Sequence, residues 1–379
     1  MPKKMITYLF FIILLPLFST NAQFRTEFSI PDISGYKTLK CDFHSHTFFS
    51  DGLVWPTVRV DEGWRNGLDA IAITDHLEYL PFKKDFNLNY NRSYEIAKAR
   101  GDELNILVIK GAEITRQMPP GHFNALFLDD ISKLVTENWR DAFKAAKAQD
   151  AFIFWNHPGW KYQLKDGITK WHDEHTELFN NGMMDGIEVT NQGSYYPEAH
   201  KWLIDKKLTF MSNTDIHDPA GTEYELYNKE RRSFTVVFAK DRSIPSIKEA
   251  LKNRRTVAYW NNTLAGDKKY LMEIFNKSIS FDKNTLELVG RKSCYVQITN
   301  NSSIDYVLTA LNPTKEFDIP DKIVLTGGKT VLFRINSVAS KINDSQEVSF
   351  PYLVENLLVE PNKGTQIDIK FKIKRTASN

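Results

Sequence analysis

Short apolar runs alternate with amphipathic segments from about residue 36 to residue 260. The apolar runs predict strands at 38–43, 68–74, 106–109, 123–128, 152–157, 186–190, 208–212, 234–238 and 256–259. The segments between them predict helices at 56–66, 93–104, 139–149 and 244–253. Such alternation is typical of βα units that close on a parallel sheet or barrel. We therefore expect an α/β barrel over residues 36–263.

The pattern changes beyond about residue 264. A helical segment at 268–276 leads into strand-like runs separated by turn residues, at 294–299, 306–310, 322–325, 330–335 and 366–373. Gly327-Gly328 predicts a hairpin turn. These features predict a linker with a helix at 264–285 and a small antiparallel β-sandwich at 286–379. The sandwich segment contains no His, which favours a structural or recognition role.

The first 22 residues have the pattern of an export signal. Lys3 and Lys4 precede an apolar run at 8–18, and Thr20-Asn21-Ala22 follows with the small residues that a signal peptidase cleaves after. The run is too short to serve as a permanent membrane anchor, although an uncleaved anchor is the alternative. We therefore expect a signal peptide at 1–22 and an exported, periplasmic or secreted protein without a stable membrane anchor.

Charge and cysteine content restrict the partners. Lys and Arg number 49 against 47 Asp and Glu, and removal of Lys3 and Lys4 with the signal leaves 47 against 47. A neutral chain gives no electrostatic reason to expect nucleic acid or an anionic membrane as a partner. Cys41 and Cys294 fall in different predicted domains, which favours two reduced thiols over a disulfide.

Residues of the types that bind metal ions follow five separate predicted strands. These are His44 and His46, His76, Glu113, His157, and Asp215 with His217. In a parallel barrel the carboxyl ends of the strands share one rim, where reactive groups gather. The two-residue spacing of His44 and His46 on an extended segment directs both imidazoles to one side, and Asp51 adds an oxygen donor. Each residue taken alone has a structural explanation, but together they indicate one convergent site.

These motifs resemble the PHP (polymerase and histidinol phosphatase) superfamily over roughly residues 39–259. The matching pieces are His44-Ser-His46-Thr-x-x-Ser50-Asp51-Gly52, Ile73-Thr74-Asp75-His76, Gly111-Ala-Glu113, Asn156-His157-Pro158 and Asp215-Ile-His217. The resemblance implies a distorted (β/α)7 barrel that holds two or three divalent ions. It further implies one ion on His44, His46, Glu113 and Asp215, a second on Glu113, His122 and His157, and a third on Asp51, His76 and His217.

The ligand types then indicate the chemistry. Imidazoles with a few carboxylates suit zinc, manganese or iron, and the absence of thiolate ligands argues against a closed structural zinc. Paired metals in hydrolases generate a hydroxide and stabilise an oxyanion. Our first hypothesis is an exported phosphoesterase that hydrolyses a small phosphomonoester or phosphodiester through a metal-bound hydroxide. A carboxyl or carbamate ester hydrolase and a non-catalytic metal-dependent binding protein are the alternatives.

Further side chains are candidates for substrate contacts. Arg116, three residues past Glu113, is the candidate catalytic cation for a phosphate, with surface solvation as the alternative. Arg231 and Arg232 are weaker candidates. His172, His175 and His200 are expected on solvated helix faces, and Asn191 is a candidate polar substrate contact. The remaining candidates are aromatic walls for an apolar leaving group: Trp155, for which core packing is favoured, Trp160 and Trp171.

Overall fold

The structure is a computed structural model that describes residues 24–85, 88–223, 231–289, 292–311, 316–338 and 344–376. The expected signal peptide at 1–22 lies outside the described residues. Within the described ranges, no helix has both the length and the apolar character needed to cross a membrane.

The first domain consists of strands and helices that alternate along the chain. Its strands are β1 (Lys37–Asp42), β2 (Ala70–Ile73), β3 (Leu107–Ile114), β4 (Phe123–Leu126), β5 (Phe152–Trp155), β6 (Gly186–Asn191), β7 (Ser194–Tyr195), β8 (Thr209–Asn213), β9 (Phe234–Ala239), β10 (Thr256–Trp260) and β11 (Thr263–Gly266). Its helices are α1 (Pro56–Arg65), α2 (Arg92–Leu104), α3 (Trp139–Ala148), α4 (Asp173–Asn180), α5 (Pro197–Asp205), α6 (Ala220–Glu223) and α7 (Ile244–Lys252), with a 3₁₀ turn at Ile131–Leu134.

The strands form one curled mixed sheet in the order β11-β10-β9-β1-β2-β3-β4-β5-β6, and β7 and β8 both pair with β6. Strand β4 is antiparallel to β3 and to β5, and β9 is antiparallel to β1 and to β10. Two successive antiparallel pairings restore the strand direction. Strands β1, β2, β3, β5, β6, β8 and β10 therefore all point the same way, and their carboxyl ends share one rim.

Side chains rather than a backbone ladder link the two ends of this curled sheet. The Ser212 hydroxyl of β8 donates to the Tyr259 carbonyl of β10 at 2.8 Å, and the Thr256 hydroxyl of β10 donates to the Phe210 carbonyl at 2.8 Å. A buried hydrophobic cluster that includes Leu39, Phe154 and Met211 fills the interior of the barrel. The predicted α/β class with a distorted barrel is thus confirmed, and the sheet is mixed rather than parallel.

The second domain is a β-sandwich, as predicted. Its strands are β12 (Ile279–Phe281), β13 (Thr285–Val289), β14 (Ser293–Asn300), β15 (Tyr306–Ala310), β16 (Phe317–Asp318), β17 (Lys322–Leu325), β18 (Thr330–Ser337), β19 (Asp344–Val354), β20 (Leu357–Leu358) and β21 (Thr365–Thr376). The two facing sheets have the orders β12-β14-β18-β16 and β13-β21-β19-β15-β17. Cys41 and Cys294 are both free thiols.

The segment expected to link the domains is part of both. Strand β11 pairs with β10 in the barrel sheet, and β20 from the sandwich pairs with β11 in parallel. Helix α8 (Lys268–Ser278) packs its buried face between the domains. One hydrophobic cluster continues from Tyr259 through Phe275 of α8 to Phe350. The barrel and the sandwich therefore share a core.

Candidate metal centre

Nine side chains that suit metal ions meet at the carboxyl rim of the barrel. They form three groups whose potential ligand atoms lie within 4.8 Å of one another in each group: His44, His46, Glu113 and Asp215; Glu113, His122 and His157; and His46, Asp51, His76 and His217. The rim brings together residues up to 173 positions apart in the sequence, since loops after β1, β2, β5 and β8 all open there.

In the first group, two imidazoles face the same two carboxylates. Asp215 Oδ1 lies 3.0 Å from Nε2 of both His44 and His46. Glu113 Oε2 lies 3.3 Å from His44 Nε2 and 3.2 Å from His46 Nε2. All four side chains are buried or nearly so, so that water competes little for these atoms.

Glu113 joins the first group to the second. While its Oε2 faces His44 and His46, its Oε1 lies 3.0 Å from His122 Nδ1 and 3.6 Å from His157 Nε2. One carboxylate thus presents its two oxygens to two different sets of imidazoles. This is the arrangement required of a carboxylate that bridges two cations.

The third group is centred on Asp51. Its Oδ1 lies 3.4 Å from His76 Nε2, 3.3 Å from His217 Nε2 and 3.8 Å from His46 Nδ1. Gly52 follows directly, and a Cβ added there would lie 2.6 Å from the His46 carbonyl carbon. The tight turn that carries Asp51 to this position therefore requires glycine.

The tautomers of His217 and His44 direct Nε2 toward the centre. His217 Nδ1 lies 2.7 Å from the Asp215 carbonyl, which only accepts hydrogen bonds, so the proton is on Nδ1. His44 Nδ1 lies 2.9 Å from Glu188 Oε1, and His76 Nδ1 lies 2.6 Å from the Thr115 hydroxyl. Metal-ligating histidines commonly commit their second nitrogen in this way.

Two buried atoms in the centre have short contacts that are not hydrogen bonds. Asp51 Oδ1 and His122 Nδ1 are enclosed, yet neither has a hydrogen-bond partner among the described residues. Buried polar atoms are rarely left unsatisfied, because their desolvation costs free energy. Oxygen and imidazole donors that face one another without hydrogen-bond geometry fit divalent cations, and the three groups match the ligand chemistry of zinc, manganese or iron.

The charges in the centre are strongly coupled. Burial would lower the pKa of His46, but its hydrogen bonds to Asp215 and Glu113 raise that pKa to about 10. Burial would raise the pKa of Glu113, but the nearby imidazoles of His76 and His44 hold it well below its ordinary value. Because a cation needs neutral imidazoles and ionised carboxylates, cation binding must release protons from this cluster.

Glu188 is a supporting residue that the sequence analysis missed. It is fully buried in β6, where its Oε2 accepts from the His157 amide at 2.7 Å and from Asn191 Nδ2 at 2.8 Å. Together with the bond from His44 Nδ1, these contacts orient one ligand from each of the first two groups. The available signal was a carboxylate between the apolar residues Ile187 and Val189 of a predicted strand. Asn191, a candidate substrate contact, instead donates to Glu188.

Arg59 and Asp75 hold the loops of the third group. Arg59, buried in α1, donates to the carbonyls of His46 and His217 at 3.0 and 2.9 Å and pairs with Glu62. Asp75 accepts from the Thr47 amide at 2.7 Å and from the Ser50 hydroxyl at 2.9 Å. The Thr47–Ser50 turn and the His217 loop are thus fixed by buried polar contacts.

Arg116 lies near the rim but its guanidinium is already engaged. It pairs with Glu78 at 2.8 Å and donates to the Thr136 carbonyl at 2.7 Å. Burial raises the pKa of Glu78 to about 7. A role of Arg116 in phosphate binding stays a prediction.

Arg232, a weaker candidate for a phosphate contact, is buried and pairs with Asp42.

Two histidines expected on solvated helix faces are buried, so that expectation was wrong. His175 Nε2 donates to the Pro120 carbonyl at 2.7 Å, and its ring stacks on Trp155 at 3.8 Å. His200 Nδ1 forms a hydrogen bond of 2.8 Å with the Tyr195 hydroxyl. Residues outside helices α4 and α5 cover both imidazoles, which the polar neighbours along each helix did not reveal. His172 is half-buried at the start of α4.

Of the three tryptophans considered as pocket walls, only Trp160 lies at the centre. Its ring is 5.5 Å from His122 and 5.2 Å from His157. Trp155 is fully buried in the core, as favoured from the sequence. Trp171 packs against Trp155, at 6.3 Å between the rings.

The family follows from comparison with known proteins. A PHP domain model matches residues 42–204, and an Ig-like domain model matches residues 279–370. A two-domain protein from Bacteroides vulgatus ATCC 8482, described as containing a predicted PHP-like metal-dependent phosphoesterase, is 44% identical, with 92% of this chain and 99% of that chain covered and a TM-score of 0.87. This chain belongs to the PHP family.

A second relative matches a smaller part of this chain. An uncharacterised protein of Methanocaldococcus jannaschii is 37% identical over 82 residues, which are 22% of this chain and 36% of that protein. The PHP chain thus spans about a third of the length of this curated relative. Family membership, with three groups of His, Asp and Glu side chains, supports metal-dependent hydrolase chemistry at the rim.

Proposed function

We propose that this PHP protein is an exported, metal-dependent phosphoesterase that hydrolyses a small phosphomonoester or phosphodiester. The observation that carries the proposal is the bridging position of Glu113, whose two oxygens face separate sets of imidazoles. The two cations of a hydrolytic site lie about 3.5–4 Å apart, which is close enough to share such a ligand.

The residues that would hold the cations have distinct tasks. His44, His46 and Asp215 would hold one with Glu113, and His122 and His157 would hold a second with the same Glu113. His76, His217 and Asp51 would complete a third site. Bound divalent cations supply Lewis-acid chemistry, which polarises a phosphoryl group and makes a nearby water molecule more acidic.

The chain itself positions these groups and excludes bulk water. Glu188 keeps the proton of His44 on Nδ1, so that Nε2 remains available as a ligand. Arg59 and Asp75 fix the loops that carry His46 and His217, which limits the entropy lost when substrate binds. In the hydrolysis a water oxygen bonds to phosphorus, the bond from phosphorus to the ester oxygen breaks, and a proton from the water ends on the released alcohol.

Export rests on the N-terminal pattern. Lys3, Lys4, the apolar run 8–18 and Thr20-Asn21-Ala22 support cleavage after Ala22. N-terminal sequencing of protein recovered from the periplasm or medium should begin at Gln23. An intact Met1 in all fractions would contradict export by cleavage.

The activity test uses mature protein loaded with manganese or zinc and three chromogenic esters. We expect turnover of p-nitrophenyl phosphate or bis(p-nitrophenyl) phosphate, and loss of it after chelation and recovery on metal addition. Turnover of p-nitrophenyl acetate alone would favour the carboxyl ester alternative. No turnover with at least two bound ions per chain would favour a binding protein.

A further inference from the structure

Trp160 exposes an aromatic face beside the second metal-binding group. Its side chain is 38% exposed although its ring contacts both His122 and His157. A large indole surface left open to water at the edge of a functional cluster is a feature of ligand-binding surfaces. The exposed face is therefore available to a group attached to the phosphate.

The loop that carries Trp160 is fixed. The Trp160 amide donates to the His157 carbonyl at 2.9 Å, and its own carbonyl accepts from the amides of Gln163 and Leu164 at 3.0 and 2.9 Å. The Gln163 side chain donates to the Arg116 carbonyl at 2.9 Å. A Cβ at Gly159 would lie 2.8 Å from the Tyr196 ring, so the chain is closely packed there. A prearranged indole binds a ring at a low entropic cost.

Other exposed aromatic side chains extend this surface. Tyr162 is 87% exposed, and its ring lies 5.0 Å from that of Trp160. Tyr79 is 56% exposed, and its ring lies 5.9 Å from His76. The His76 and His122 rings are themselves 5.9 Å apart.

The second group has fewer protein donors than the first. Glu113, His122 and His157 offer three ligand atoms, whereas the first group offers four. Sites that bind substrate keep coordination positions open. A phosphoryl oxygen bound at the second group places the rest of the ester next to Trp160.

We propose that the substrate carries a planar ring on its phosphate ester, either aryl or heteroaryl, and that this ring stacks on Trp160. The inference rests on the proposed phosphoesterase function, because the phosphoryl group fixes where the ring lies. A planar ring has the flat apolar shape of the exposed indole face, and stacking of this type contributes about tenfold or more to affinity.

A binding experiment tests the ring site without turnover. Phenylphosphonate and methylphosphonate, whose carbon–phosphorus bonds resist hydrolysis, are titrated into manganese-loaded protein by calorimetry. We expect phenylphosphonate to bind about tenfold more tightly. In Trp160→Ala the ratio should fall to about one, and Trp160→Phe should restore part of it. Tyr295→Ala, which removes a 45% exposed aromatic side chain from the sandwich, is the matched control and should keep the wild-type ratio.

The outcomes separate the two proposals. Equal affinity of the wild-type protein for both phosphonates, or an equal loss of both in Trp160→Ala, would overturn the ring site. In a parallel assay, phenyl phosphate and ethyl phosphate are compared by the ratio of their kcat/KM values in wild-type and Trp160→Ala protein, because intrinsic reactivity cancels between proteins. An unchanged ratio with good turnover would overturn the ring site and leave the phosphoesterase intact. Preferential binding of phenylphosphonate, without turnover of these two monoesters or of bis(p-nitrophenyl) phosphate, would support the ring site and overturn the phosphoesterase.

Discussion

Glu113 is the residue on which the geometry of the centre depends, because it is the one side chain shared by the first two groups. Glu113→Gln keeps the shape of the side chain but replaces one carboxylate oxygen by an amide nitrogen, which cannot bind a cation. We expect loss of at least one bound ion per chain and a fall of more than about hundredfold in kcat/KM, since even supporting residues around metal ligands cost 10- to 100-fold. Metal analysis and steady-state kinetics measure both.

The matched control is Glu287→Gln, an exposed carboxylate on β13 of the sandwich. It should leave metal content and kinetics unchanged. Wild-type kinetics in Glu113→Gln would remove the bridging role.

Glu188 acts one step further from the cations. In Glu188→Gln the amide nitrogen would face a donor, because both oxygens of Glu188 accept hydrogen bonds: Oε1 from His44 and Asn213, and Oε2 from the His157 amide and Asn191. We expect a loss of about 10- to 100-fold in metal affinity, measured by competition with a chelating indicator dye. An unaltered affinity, with an intact fold by circular dichroism, would show that His44 is oriented without Glu188.

At the scale of elements, the turn between β1 and α1 depends on Gly52. A Cβ there would come within 2.6 Å of the Thr47 amide nitrogen and the His46 carbonyl carbon, which are backbone atoms that cannot move aside. Gly52→Ala should therefore destabilise the protein by about 1–3 kcal/mol and remove the ion held by Asp51. Thermal unfolding and metal content report the two effects.

Gly221→Ala is the control, because a Cβ at Gly221 would meet no atom within 4 Å. It should change neither the melting temperature nor the metal content. Equal behaviour of the two variants would show that the turn adapts to a side chain.

Helices α4 and α5 each bury a histidine, and this makes stability depend on pH. Burial lowers the pKa of His175 and of His200 to about 4, against about 6.5 in an unfolded chain. Between these values the unfolded chain binds more protons, so stability rises with pH. The contribution is fully present above pH 6.5 and is lost as the pH falls toward 4.

The measurement is urea unfolding at pH 7.5 and pH 5.0. His200→Phe cannot be protonated, so its free energy of unfolding should fall by about 2 kcal/mol less than that of the wild type between these two pH values. An equal fall in both proteins would show that His200 is already accessible to protons in the fold.

The sequence predicted those elements whose apolar pattern is local. The barrel strands other than β7 and β11, the helices α1, α2, α3 and α7, and the positions of the metal-type residues at strand ends could be read from the sequence, because strand ends and residue types are local features of the chain. Strand β19 was missed, since Pro351 interrupts its alternation and proline is unusual inside a strand. The burial of His175 was missed because it depends on Pro120 and Trp155, which only the fold brings near.

At the scale of the whole molecule, the barrel and the sandwich share one hydrophobic core. The cluster includes Val236 and Tyr259 from the barrel, Leu271 from α8, and Tyr306 and Phe350 from the sandwich. Strand β20 also adds to the barrel sheet beside β11. A domain whose core is continuous with its neighbour should not unfold independently.

The shared core predicts that a destabilising substitution in the sandwich also lowers the stability of the barrel. All 8 tryptophans lie between residues 55 and 260, so tryptophan emission reports on the barrel alone. Phe350→Ala removes a fully buried side chain from β19 and should cost about 3–5 kcal/mol. We expect the urea midpoint of tryptophan emission to shift down together with that of far-ultraviolet circular dichroism.

The control for this experiment is Val338→Ala, at a 50% exposed position in the sandwich, which should shift neither midpoint. If the domains unfolded separately, Phe350→Ala would leave the tryptophan midpoint in place and split the dichroism curve into two steps. A joint shift instead implies that the sandwich stabilises the barrel whose rim holds the metal ligands, because the same buried side chains serve both domains. Phe350→Ala should then also bind its metal ions less well as urea is raised, at concentrations where the wild-type centre is still intact.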